Sequence, residues 1–525
     1  MVINSVFIDR KAVPPAVEFS DTFNVANLFI DKHIIEGREK KVALVTASAT
    51  VTYGELIEKV NRCGSALGKL GLHAGERVLL VVKDCPEFFY IFWGAIKRAI
   101  IPVPVNTMLG QDDYEYLIQD SECELVLYSE EYADIVERAV EGSRRTPQSC
   151  NVDLEDGRFL SLMEDSPGTL PLVVTSAVDD CFWLYSSGST GRPKAAVHRH
   201  QDMVMTSLLY GEGILHLTEK DCCFSAAKLF FAYGLGNSMC FPLWCGATTI
   251  LAHQRPTPAL TLDLIERLKP TLYFGVPTLY AAQLQQIEGE ARDLSSLRAC
   301  VSAGEALPPE VFRRWEQHTG LQILDGIGST ELLHIFISNR PENYKPGTSG
   351  QVVPGYDAKI VDESGVPVDE GEIGQLLVSG GSAASHYWNQ PERTAQTMQG
   401  GWVRTGDTYF QDSEGYFHYC GRADDMLKVS GQWVSPAEVE AVLFEHDAVL
   451  EAAIIGKMDE HGLLKPKAFV VLKEDYSGSE ALAAELGEFV KDRLLPHKYP
   501  RWVEFVPDLP KTATGKIQRF KLRSG

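Results

Sequence analysis

The run Tyr185-Ser186-Ser187-Gly188-Ser189-Thr190-Gly191-Arg192-Pro193-Lys194 gathers short hydroxyl donors and two glycines ahead of a lysine. That combination can cradle phosphate. Gly188 and Gly191 let the backbone turn successive N–H groups onto an anion, Ser187, Ser189 and Thr190 add donors, and Lys194 adds a point charge. It is not a Walker A loop, since Pro193 precedes the lysine, Ala195 follows it and the hydroxyls come first. A flexible linker would use the same residue types, yet Asp180-Cys181-Phe182-Trp183-Leu184-Tyr185 reads as a buried strand entering the loop.

Further along, Asp325-Gly326-Ile327-Gly328-Ser329-Thr330-Glu331 places a hydroxyl beside a carboxylate after a predicted strand. Those groups suit a hard cation with its phosphates, or simply the start of a helix capped by Ser or Thr. Trp402-Val403-Arg404-Thr405-Gly406-Asp407 sets a carboxylate after a tight turn, as needed to hold both hydroxyls of a ribose. Gly421-Arg422-Ala423-Asp424-Asp425-Met426-Leu427-Lys428 would ordinarily be a surface salt-bridge cluster, but it stands at a predicted domain boundary. Near the end, Pro510-Lys511-Thr512-Ala513-Thr514-Gly515-Lys516-Ile517-Gln518-Arg519 is a polar loop with a lysine after glycine, and such lysines are normally solvated.

In this order the motifs resemble the adenylate-forming acyl- and aryl-CoA ligases (the ANL superfamily), whose phosphate loop has the form Ser/Thr-Ser-Gly-Ser/Thr-Thr-Gly-x-Pro-Lys. The resemblance covers nearly the whole chain and is nearest to benzoate-CoA ligases. It implies use of ATP, Mg2+ and coenzyme A. It assigns phosphate binding to Thr330 and magnesium binding to Glu331, and it sets Gly304, Glu305 and Ala306 with Asp325, Gly326 and Ile327 around the adenine. Asp407 and Arg422 would hold the ribose. Asp424 would be a hinge, Lys428 and Gly431 would line the thioester-forming site, and Lys516 would stand between the acid and the α-phosphate. Ile327 departs from the family pattern, which has an aromatic residue there, so adenine would pack on an aliphatic face.

The segment Ala227–Asn237 corresponds to the family's acyl site, with Phe231 at the aromatic gate. Phe231 and Tyr233 would supply ring faces, Ala232, Ala303 and Gly328 a flat slot, and Leu333, His334 and Ile335 the far end. Aromatic core packing and a core histidine are the plainer readings of the same residues. The implied reaction joins benzoate to coenzyme A through benzoyl-adenylate, releasing pyrophosphate and AMP. Alternatives are a 4-hydroxybenzoate- or other aryl- or cyclohexene-carboxylate-CoA ligase, a stand-alone adenylation enzyme loading a carrier protein, and a non-catalytic nucleotide sensor. A further alternative is an amidase-type serine hydrolase, whose nucleophile loop resembles Ser186-Ser187-Gly188-Ser189. The hydrolase would leave Arg422 and Lys516 unexplained.

Positioning these loops requires an α/β scaffold. From Val42 to Ser129 strand and helix signals alternate: apolar positions Leu56, Val60, Cys63, Leu67 and Leu70 at helical spacing, a strand at 77–82, a helix at 86–98, strands at 100–105 and 124–129. That order predicts parallel sheets with right-handed crossovers. Residues 141–178 read as an aperiodic surface connection. The alternation resumes over 220–329, and about 347–420 read as a β-rich subdomain. The expected division is an N-terminal domain over 1–423 and a small, mobile α+β domain over 424–525.

With 49 Lys and Arg against 71 Asp and Glu, the net charge is −22, which disfavours nucleic acid or an anionic membrane as partner. Eleven cysteines without a CxxC pair predict reduced thiols and no zinc site. The most apolar windows are broken by charges, prolines and glycines, and Met1 to Phe19 lack a signal-peptide pattern, so a cytoplasmic enzyme is expected. A homodimer, and acetylation of Lys516 by a lysine acetyltransferase with reversal by a deacetylase, are further expectations.

Overall fold

The computed structural model describes residues 6–154, 157–186, 192–429, 432–460, 462–511 and 517–523. A nine-stranded sheet forms the centre of the large domain, in the order Gln351–Val352, Ile335–Ser338, Ile323–Gly328, Ala299–Ser302, Leu272–Gly275, Cys222–Ser225, Thr248–Ile250, Val42–Val45, Thr50–Thr52. From Ile323–Gly328 to Val42–Val45 the strands run parallel, and antiparallel pairs close both edges. These parallel strands are mostly buried, which is why they read as continuous apolar runs in the sequence.

A second, four-stranded parallel sheet orders Ile101–Pro104, Arg77–Val81, Leu125–Tyr128 and Gln148–Asn151. Its last strand lies inside the stretch expected to be an irregular connection, which also holds the helix Arg158–Glu164. Only Cys150 of that strand is buried, so as a polar edge strand it carries no apolar period to read. The helices Tyr53–Lys69 and Pro86–Lys97 pack between the layers. The first starts on a capping box of Thr52 and Glu55, and the second has proline in its first turn. They cross at Gly64 and Gly94, where a Cβ on Gly94 would lie 2.7 Å from the Gly64 nitrogen, so the backbones touch.

Besides the antiparallel pair Val6–Asp9 and Ala16–Phe19, two larger antiparallel sheets belong to the large domain. His386–Tyr387, Lys194–Arg199 and Asp180–Ser186 form one, and Tyr356–Val361, Gly374–Gly380, Trp402–Gln411, Met398–Gln399 and Phe417–Arg422 form the other. The smaller C-terminal domain packs the helices Pro436–Phe444 and Glu480–Lys491 on the strands Val449–Met458, Leu464–Leu472 and Trp502–Phe505, around its own core of Val439, Ile454, Val470 and Leu486. The Ser435 hydroxyl donates to the Cys420 carbonyl and ties this domain to the β-rich part. All eleven cysteines are free, nine of them buried.

Candidate active site

The strand Ile323–Gly328 ends in a tight reversal. Ser329 caps a single 3-10 turn, Thr330–Leu332, its hydroxyl accepting from the Leu332 N–H at 3.2 Å, and Leu333 reverses the chain at φ +67° into the strand Ile335–Ser338. A leucine at positive φ is strained and persists only where its surroundings impose it. The reversal aims Glu331 at Lys194, which opens the strand Lys194–Arg199 directly after the hydroxyl-rich loop. The Lys194 ammonium lies 3.1 Å from the Glu331 carboxylate and donates to the Tyr387 hydroxyl at 2.5 Å, which itself donates to Glu331 at 2.6 Å. Lys194 also sits 4.0 Å above the Tyr387 ring. Burial pushes the Glu331 carboxyl upward, but Lys194 and the Tyr387 hydroxyl outweigh it and hold the group below its ordinary value. The result is a largely buried, ionised carboxylate.

Among the residues expected around the adenine, Gly304 has φ +99°, and Glu305 accepts from the Ile517 N–H at 3.3 Å. The C-terminal tail next to Lys516 therefore touches the Gly304–Ala306 loop. Asp325 turns inward: its carbonyl is taken by Asn339, and burial raises its carboxyl to about 8. Gly326 pairs with Ser338 in the sheet, and Ile327 is half-buried. Arg422 donates to Asp407 at 3.1 Å and to the Thr405 carbonyl at 3.0 Å. Gly406 leaves the room for this pair, since a Cβ there would meet the guanidinium at 2.6 Å.

The residues expected to line the acid site converge behind the reversal. His334 is ringed by Phe241, Tyr210 and Tyr233 at centroid distances of 4.5, 5.3 and 5.4 Å. Its Nε2 faces the Asn237 side-chain oxygen at 3.0 Å and the Tyr233 carbonyl at 3.3 Å, so the proton sits there. Nδ1 is buried and has no hydrogen-bond partner among the described residues. Burial lowers the ring to about 3, leaving a neutral imidazole. Gly328 lies against the His334 carbonyl and Gly236 against the ring itself, where a Cβ would come within 2.3 Å. Tyr233 donates to the Gly275 and Val301 carbonyls, two residues before Ala303. Phe231 packs on Phe230 ahead of Ala232, ring centroids 4.5 Å apart and planes tilted by 59°, while Leu333 and Ile335 are buried in the adjoining core.

Ser187, Gly188, Ser189, Thr190, Gly191, Gly431 and Lys516 lie outside the described residues. Asp424 is an exposed turn residue, and Lys428 is exposed with its ammonium 5.2 Å over the Trp433 ring. Sequence reasoning passed over Tyr387 and Asn237. Asn237 stood in the acyl segment already singled out, whereas Tyr387 is recognised only because His386–Tyr387 pairs with Ala196 and Val197.

Residues 32–388 match the family described as AMP-binding enzyme, and residues 438–516 match its C-terminal domain. The chain belongs to the AMP-binding enzyme family. This AMP-binding enzyme is 49% identical to a benzoate–CoA ligase of Thauera aromatica over 98% of both chains. It is 44% identical to a 4-hydroxybenzoate–CoA/benzoate–CoA ligase of Rhodopseudomonas palustris, covering 95% of this chain and 94% of the relative. The crystal structure of a benzoate CoA ligase from Burkholderia xenovorans LB400 superposes with a TM-score of 0.90 at 46% identity, covering 95% of this chain and all of that one. The family enzyme is thus an AMP-forming acid–thiol ligase. No helix among the described residues is long and apolar enough to cross a membrane.

Proposed function

We propose that the enzyme activates benzoate with ATP, forming benzoyl-adenylate and pyrophosphate, and then transfers the benzoyl group to coenzyme A with release of AMP. The observation that carries the choice of acid is the neutral, ring-enclosed His334 behind the Glu331 reversal, a setting suited to a flat, apolar substrate. Two relatives that act on benzoate, at 49% and 44% identity, support it.

In the first half-reaction the carboxylate attacks the α-phosphate and pyrophosphate leaves. The loop 187–191, Lys194 and the Thr330 hydroxyl grip the phosphates, and Asp407 and Arg422 hold the ribose. Glu331 suits Mg2+, a hard cation, because it is an ionised oxygen donor. No group of three His, Cys, Asp or Glu side chains gathers among the described residues, so phosphate oxygens and water would complete the shell. The cation would neutralise phosphate charge. Lys516 would supply positive charge between carboxylate and α-phosphate as the transition state forms. The Ile517–Glu305 contact supports reading this arrangement as the adenylating one. Rotation of the domain beginning at Asp424 would then exchange that face for the one bearing Lys428 and Gly431, where the thiolate attacks the acyl carbon and AMP leaves. Acetylation of Lys516 would stop the first half-reaction only, and assembly as a homodimer belongs to the same reading; mass measurement of the acetylated lysine and of the native complex would test them.

The unpartnered Nδ1 of His334 favours one second reading, in which the pocket accepts a hydroxyl or amine on the ring. Acid-dependent pyrophosphate release with benzoate, 4-hydroxybenzoate and 2-aminobenzoate, followed by the mass of the CoA product, separates the two. On the first reading Nδ1 does not reach the ring substituent and benzoate should lead, because a ring hydroxyl buried without a partner costs about 1–3 kcal/mol, or roughly 5- to 150-fold. A tenfold preference for 4-hydroxybenzoate that is lost in His334→Leu would overturn the benzoate assignment.

A further inference from the structure

His198 takes no part in the site as described above, yet it is completely buried and reaches the turn that bears Thr330 and Glu331. Its Nε2 lies 2.8 Å from the Thr330 carbonyl oxygen, 132 residues away in sequence. A carbonyl only accepts, so this contact requires a proton on Nε2, and the Asp202 contact then requires a second proton between Nδ1 and the carboxylate. Its Nδ1 faces the buried Asp202 carboxylate at 3.0 Å, and Asp202 is held in turn by the Arg199 N–H at 3.1 Å. Phe182 stacks on the imidazole at 5.1 Å with planes 15° apart, which fixes its tilt.

Within the turn the Leu333 N–H reaches the Thr330 carbonyl at 3.2 Å and the His334 N–H the Leu332 carbonyl at 2.8 Å, which leaves the Glu331 carbonyl without a local donor. Three donors from outside the turn add to these. Besides His198 on Thr330, the Ala384 N–H donates to the Glu331 carbonyl at 2.8 Å and the Ser382 hydroxyl to the Leu332 carbonyl at 2.8 Å. The donors come from two elements remote in sequence, and they over-determine a turn whose conformation would otherwise relax.

We propose that His198, oriented by Asp202, is a positioning residue for ATP binding: its Nε2–H on the Thr330 carbonyl fixes the direction in which Thr330 and Glu331 face the phosphates. The inference rests on the reading of that turn as the phosphate and magnesium site. It predicts that what matters is a donor at the Nε2 position and not ring volume alone. The amide nitrogen of glutamine falls near Nε2 of histidine, and that of asparagine near Nδ1.

The experiment compares His198→Gln with His198→Asn. Both should melt at a similarly lowered temperature. His198→Gln should keep ATP affinity by calorimetry, and kcat/KM for ATP in pyrophosphate release, within about fivefold, while His198→Asn should lose roughly thirtyfold or more in both, with the KM for acid changed less than about twofold. Equal losses in the two variants, or a loss confined to melting temperature, would overturn the proposal. If neither variant folds, 15N NMR of histidine-labelled wild-type protein decides: a slowly exchanging Nε2 proton on His198 supports it, and a freely exchanging one refutes it. Glu331→Gln separates the premises, because full activity in that variant would refute the phosphate-site reading itself.

Discussion

Tyr387→Phe isolates one hydroxyl at the centre of the site. The ring remains, so the Lys194 ammonium keeps its seat 4.0 Å above it, and the 3.1 Å pair between Lys194 and Glu331 persists. What disappears is the bridge that accepts from Lys194 at 2.5 Å and donates to Glu331 at 2.6 Å. Hydrogen bonds to charged groups in such surroundings are worth about 1.5–3 kcal/mol. Converted to a rate or affinity, that is roughly 12- to 160-fold. The loss should fall on the KM for Mg·ATP in pyrophosphate release and shrink as magnesium is raised, since Glu331 is the group left misdirected. The carboxyl also loses one of the groups that hold it below its ordinary value, so its ionisation moves to higher pH. Activity that needs ionised Glu331 is present above that value and lost as pH falls through it, so the acid limb of the rate profile should shift upward. An unchanged KM for Mg·ATP together with an unchanged acid limb would refute the reasoning.

Gly236→Ala would drive a Cβ to 2.3 Å from the His334 ring, which Phe241, Tyr210 and Tyr233 prevent from retreating. Overpacking of this kind costs about 1–3 kcal/mol, so kcat/KM for benzoate should fall by roughly tenfold or more while the KM for ATP holds; steady-state kinetics in both substrates would check it. Lys516→Ala should abolish benzoate-dependent pyrophosphate release but leave thioester formation from supplied benzoyl-adenylate intact, as followed by mass of the CoA product. Asp325 keeps its proton up to about 8 when folded, whereas an unfolded chain sheds it near its ordinary value of about 4. Its effect is therefore a loss of stability as pH rises between those values. Asp325→Asn should raise the melting temperature more at pH 8.5 than at pH 5.5, and an equal change at both would count against a buried neutral carboxyl.

Much of the scaffold and the order of its motifs was legible in the sequence, because both are local properties. Buried parallel strands such as Leu272–Gly275 and Ala299–Ser302 are unbroken apolar runs, and Thr52 with Glu55 announces a helix start wherever the chain goes. The pairing of Asp407 with Arg422 was foreshadowed by two short motifs, because the strands that carry them are joined by one hairpin. The polar edge strand Gln148–Asn151 was not legible, having one buried side chain and no period. Nor was Tyr387: a two-residue strand has no pattern, and only its pairing with Ala196 and Val197 brings the hydroxyl between Lys194 and Glu331.

Charge state belonged to the tertiary structure as well. His334 is neutral because three aromatic rings desolvate it, and Glu331 is ionised because a lysine 137 positions earlier in the numbering lies beside it. Residue types and spacing determined which chemical groups this protein has and the order in which they occur. Which of them are buried, which share a proton and which way the Thr330–Leu332 turn faces were decided by contacts between segments far apart in the chain, because desolvation and hydrogen bonding depend on neighbours that no local pattern contains.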